Sequence, residues 1–125
     1  MKAHTMSDRE IVSYVLDSVI SYCENAYTII GYGESGIIWR EREILDVKKA
    51  LKRALTYVDS HKRLQNLLLF APCLETLDEI RLLHTQGVCI DIYVGEQDKD
   101  ARVILESSAS FCTARYYKNV SFSDF

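Results

Sequence analysis

From Ser7 onward the apolar positions Val12, Val15, Leu16, Val19, Ile20 and Cys23 recur at helical spacing, and Ser7 with Glu10 stands in the order of a capping box. This pattern predicts a first helix over residues 8–24. Tyr27 to Ile30 form a short β-prone run that glycines close. Ile44, Val47, Leu51, Ala54, Leu55 and Val58 keep the 3.6-residue period, which predicts a second, longer helix over 41–58. The continuous apolar run "NLLLFAP" stops at Pro72 and reads as a strand covered on both faces.

Thr76 and Glu79 repeat the capping-box spacing, Leu77, Ile80 and Leu83 supply a buried stripe, and Gly87 stands where a helix ends. A third helix over 75–86 follows from this. "VCIDIYV" comes directly after it, so residues 66–94 read as strand, helix and strand in a right-handed crossover, with the two strands parallel neighbours. "DKDARVILESS" predicts a helix and "FCTARYYK" a last strand, while the tail "NVSFSDF" is polar apart from two phenylalanines. The alternation predicts one α/β domain over residues 1–125, a three-layer sandwich of alternating helices and strands around a mixed, mainly parallel sheet.

Composition narrows the class. With 125 residues, 48% hydrophobic and 26% charged, the chain belongs with ordinary globular domains rather than disordered or fibrous ones. The stretch "MKAHTMSDRE" lacks the apolar core of a leader and "NLLLFAPCL" is too short to span a bilayer, so a cytoplasmic protein without membrane attachment is expected. A net charge of −3 argues against bulk attraction to nucleic acid. Cys23, Cys73, Cys89 and Cys112 form no C-x-x-C pair and no His completes a zinc set, so they read as reduced core residues, and neither a metal nor a cofactor is expected.

"YTIIGYGESGIIWRERE" contains G-x-G-x-x-G after a strand, but the acidic residue that a dinucleotide site needs about 20 residues later is absent. Glu75, the first acid after the next strand, is far beyond that spacing. No Lys follows Gly36, which removes a P-loop. A hairpin with "GYGES" at its tip and a plain strand-to-helix turn both stay open. Cys73 stands before a helix, where a thiolate would be stabilised, yet Arg81 is too distant for a phosphatase-like loop and two of the three ligands of a deaminase zinc are missing. Cys73, Glu75, Asp91 and Glu96 make the default ligand site at strand C-terminal ends, against the plainer reading of "GEQDKD" as a solvated loop with a helix cap. His4, His61 and His84 have no acid or nucleophile at a local spacing that would support triad chemistry.

Lys48, Lys49, Lys52 and Arg53 share the polar face of the second helix as like-charge pairs four residues apart, a repulsion that an anionic partner would relieve. The order helix, strand, helix, strand, helix, strand, helix, strand, with "YTIIGYGES", "LDVKKAL", "NLLLFAP", "GVCIDIYV" and "FCTARYY", resembles the small ribosomal proteins that bind kink-turn RNA. It also resembles the C-terminal domain of eukaryotic-type release factors, which shares their fold. The resemblance implies that Gly31, Tyr32, Gly33, Glu34 and Ser35 lie at an RNA-facing turn. It implies protein binding instead if the release-factor-like domain is the better guide, which the acidic balance favours. The expected function is therefore a non-catalytic domain that binds a macromolecule, a protein first. RNA bound through the Gly31 to Ser35 turn and the basic helix, or a small enzyme at the strand ends, are the alternatives, and a second copy of the chain is a further candidate partner.

Overall fold

Residues 7–23, 27–60 and 63–125 are described by a computed structural model, and they alternate helices and strands as the spacing predicts, with one insertion. Helix α1 (Asp8–Cys23) opens with the Ser7 hydroxyl accepting the Glu10 amide at 3.3 Å and donating to its carboxylate at 3.1 Å. Strand β1 (Thr28–Tyr32) follows, then a hairpin of β2 (Ile37–Trp39) and β3 (Arg42–Ile44), then α2 (Val47–Asp59) and β4 (Asn66–Phe70). A 3₁₀ turn (Leu74–Thr76) leads into α3 (Leu77–Thr85), and β5 (Cys89–Gly95), α4 (Ala101–Ser108) and β6 (Thr113–Tyr117) complete the order.

The four long strands pair in the sequence β1-β4-β5-β6, all parallel, with Ile30 beside Leu68, Leu68 beside Asp91 and Asp91 beside Thr113. The α/β fold with mainly parallel strands is as expected, and among the described residues the antiparallel pairing lies in the separate hairpin. Three crossovers of the same hand that step in one direction place their helices on one face. Accordingly Val47, Ala50, Leu51 and Ala54 of α2, Ile80 and Leu83 of α3 and Ile104 of α4 bury against Ile29, Leu67, Leu69, Ile90, Ile92 and Val94. The other face carries Tyr32, Leu68, Phe70 and Tyr93, and α1 covers it with Val12, Val15, Leu16 and Val19.

The predicted second helix starts too early. Asp46 caps α2 by accepting the Lys49 amide at 2.9 Å, and residues 42–44 are strand. Ile44 fits the helical period yet buries on the α1 side of the sheet, opposite to Val47 and Leu51. The hairpin turn is Arg40-Glu41, both at positive φ (50° and 66°), without the Asn-Gly that usually marks such a turn. Thr76 precedes α3 but does not cap it, since its hydroxyl donates to the Cys73 carbonyl at 2.7 Å. The end of α3 is as predicted: Val88 N–H bonds the Leu83 carbonyl and Gly87 N–H the His84 carbonyl, with Gly87 at φ +88°.

The tail is core rather than fringe. Val120 and Phe122 are fully buried, and Phe122 meets Tyr32, Phe70 and Tyr117 edge-on at 6.5, 5.4 and 5.5 Å between ring centres. Among the described residues no helix is long and apolar enough to cross a membrane. Phe122→Ala is expected to cost about 3–5 kcal/mol in urea unfolding, whereas Ile38→Ala, at a side chain 78% exposed, should stay within about 0.5 kcal/mol. Equal effects would show that the tail is not part of the core.

Candidate functional site

Strands of an open parallel sheet point their C-terminal ends at a common edge, and side chains from the following loops gather there. At that edge of β1 and β4 lies a cleft of about 990 Å³. Its first wall is the turn after β1. Gly33 and Gly36 both take positive φ, Gly36 N–H returns to the Tyr32 carbonyl, and a Cβ on Gly36 would collide with the Ile44 carbonyl. This turn leads not into a helix, nor into a strand that pairs with β1, but into the β2–β3 hairpin, which then brings Leu45 back beside β1. Tyr32 N–H donates to Leu45 and Val47 N–H to Gly33, so α2 starts next to the turn that the chain left fourteen residues earlier, counting from Gly33 to Val47.

Val47 and Lys48 of α2 continue that wall, Pro72, Cys73, Leu74 and Glu75 face them, and Lys99, Asp100, Ser123 and Phe125 close the third side. Lys48 Nζ donates to Glu75 Oε2 at 3.3 Å between two exposed side chains. That hydrogen bond, with the nearby Glu75, Cys73 and Glu34 charges, raises the Lys48 ammonium above its ordinary range. Two lining residues, Ala71 and Asp100, hold left-handed backbone at φ +48° and +58°, a conformation that costs a residue other than glycine on the order of 1 kcal/mol.

Tyr32 is 3% exposed and lines the cleft, yet its hydroxyl has no hydrogen-bond partner among the described residues. Its ring stacks on Phe70 at 5.1 Å and lies 6.5 Å from the Phe125 ring. Burial, helped by the Asp98 carboxylate, pushes the phenol well above its usual value, so it stays protonated. The other such atom, Thr28 Oγ1, belongs to the opposite end of β1.

Asp98 itself is buried and fully engaged. Its Oδ2 accepts the Gly95 amide at 2.7 Å, and its Oδ1 accepts the Ser121 hydroxyl at 3.1 Å, the Ser123 amide at 2.9 Å and the Ser123 hydroxyl at 3.0 Å. The reading of "GEQDKD" as a solvated loop therefore fails at Asp98, which ties the tail to the end of β5.

Of the residues singled out from sequence, the cleft unites Tyr32, Gly33, Glu34, Ser35, Lys48, Cys73 and Glu75. Gly31 does not reach it: Gly31 lies in β1 under α2, where an added Cβ would stand 2.9 Å from Ala50 Cβ and Val47 Cα. Asp91 sits in the first half of β5, away from the C-terminal edge, and Glu96 accepts the Tyr116 hydroxyl at 3.2 Å beside β6. Lys49, Lys52 and Arg53 are exposed on α2 outside the cleft. Cys73 and Cys112 are half-buried and Cys89 is exposed, so Cys89 is not the core residue expected, while the Cys23 side chain, His4 and His61 lie outside the described residues. Lys99, Ser123 and Phe125 were not foreseen, because nothing local in the sequence links the tail to β1.

Compared with family models, with curated proteins and with solved structures, the chain finds no match in any of the three.

A hydroxyl buried without a partner destabilises its fold, so Tyr32→Phe should be more stable than the wild type by about 1 kcal/mol in urea unfolding. A loss of that size instead would show the hydroxyl to be bonded. Burial, with Asp91 adding to it, pushes the Cys112 thiol from 9.0 up to about 12. The folded state then keeps a proton that the unfolded chain releases, so this contribution is whole below pH 9 and lost between pH 9 and 12. Cys112→Ala should flatten the decline of the urea midpoint across that window.

Proposed function

We propose that this protein is a binding domain that holds a small organic ligand in the cleft at the C-terminal ends of β1 and β4. The observation that carries the reading is the Tyr32 hydroxyl, buried at a cleft wall and without a partner among the described residues. Buried polar groups are paired in the great majority of cases, and an exception calls for a reason. A ligand that bonds this hydroxyl supplies one.

The surroundings support the same reading. The volume suits a drug-sized molecule, the walls mix apolar side chains with a few convergent polar ones, and the edge is where open parallel sheets take ligands. Backbone held at unfavourable φ in Ala71 and Asp100 is the kind of local cost that collects at binding sites.

A second reading keeps the domain a module for a protein partner and uses the outer face of α2. It is favoured by Lys52 and Arg53, which are exposed and, unlike Lys48 and Lys49, have no carboxylate within ion-pair distance among the described residues. RNA on that face would be the other outcome.

Thermal unfolding of the intact chain against a panel of metabolite-sized compounds separates the two. The cleft reading expects a compound that raises the midpoint for the wild type, has about tenfold weaker affinity for Tyr32→Phe, and is indifferent to Lys52→Glu with Arg53→Glu. A wild type that responds to no compound, but captures a protein in a way the double variant loses, would reverse the preference.

A further inference from the structure

Resting on the cleft as a ligand site, we infer that its ligand carries an ammonium group and an apolar body. Charge decides the first part. Lys48 and Lys99 line the cleft together with Glu34, Glu75 and Asp100, and Lys48 is already held by Glu75 at 3.3 Å. What remains is one ammonium against two carboxylates, with the buried Asp98 carboxylate behind the same wall adding to the negative side.

An anionic ligand would need donors. The feature most suited to one is the start of α2, but Asp46 already occupies it, its carboxylate accepting the Lys49 amide at 2.9 Å and lying 3.9 Å from Lys49 Nζ. A cation finds acceptors instead. Tyr32 remains a neutral phenol beside Asp98, so its oxygen offers lone pairs to an N–H donor, and the Asp98 charge attracts the cation that brings it. The apolar body follows from Ile37, Pro72, Leu74 and Phe125 along the walls, of which Phe125 presents a ring beside Tyr32. The Tyr32 hydroxyl is sealed from water, so an ammonium reaching it has to displace part of the lining.

Three probes with one phenyl body test the charge: phenethylamine, N-acetylphenethylamine and phenylacetate, titrated into the intact chain by calorimetry and thermal unfolding. Phenethylamine should bind and raise the midpoint, with the neutral amide and the carboxylate each at least about tenfold weaker. Its affinity should fall with salt, fall about tenfold in Tyr32→Phe and in Asp100→Asn, and not change in Asp59→Asn, an exposed carboxylate on the far end of α2. Equal binding of the amide, stronger binding of phenylacetate, or an equal loss in Asp59→Asn would overturn the ammonium while leaving the cleft a ligand site. Failure of all three probes, and of every compound in the broader panel, would remove the site itself.

Discussion

A parallel sheet must be covered on both faces, because its strands bury side chains alternately to either side. Here the strands pair in chain order and the crossover helices fall on one face, so these helices cannot close the other. That second layer is assembled from three pieces distant in sequence: α1, the β2–β3 hairpin and the tail. Specific polar and aromatic contacts join them. Trp39 Nε1 donates to Asp17 at 3.1 Å, Arg40 Nη2 to the same carboxylate at 3.0 Å, and the Trp39 ring lies 5.4 Å from Phe125. The Arg40 and Asp17 side chains are well exposed, so their ion pair adds little, whereas the buried apolar side chains of α1 and the tail, with Phe122 edge-on to Phe70, remove hydrophobic surface from water.

Asp98 is what makes the tail part of this layer. A carboxylate removed from water without partners would cost several kcal/mol, and the four donors around Asp98 offset that cost only while residues 121–123 stay in place. Carboxylate and tail therefore hold or fail together. Because the Asp98 field also bears on Tyr32, the anchor of the tail and the chemistry of the cleft share one charge.

Most of the scaffold was legible because burial on both faces leaves a periodic record. The α1 stripe, the apolar run of β4 and the Gly87 ending of α3 all carry local signals whose physics is complete within a few residues. The hairpin was not legible. Its turn is built from Arg40 and Glu41, and Ile44 continues a helical period by coincidence while facing the other side of the sheet. Asp46, three residues before Lys49, was the available mark of the true start of α2. The cleft was half legible. Rules about strand ends led to Cys73 and Glu75 but also to Asp91, since a strand's residues were known and its extent relative to the edge was not. Phe122 and Asp98 meet their partners only through tertiary structure, and in sequence both look like surface.

Unfavourable features occur in several places in this molecule, and Arg40, Glu41 and Asn119 in left-handed backbone and the buried Thr28 hydroxyl lie away from the cleft. Three others, Ala71 and Asp100 in left-handed backbone and the Tyr32 hydroxyl without a partner among the described residues, border the cleft. Each costs on the order of 1 kcal/mol or more in a fold whose net stability is only about 5–15 kcal/mol. A phenylalanine at position 32 would retain the stacking on Phe70 and remove the hydroxyl, so the tyrosine carries a cost that no bond among the described residues recovers. Among the described residues nothing recovers that cost, and supplying the missing bond is what the proposed ligand would do.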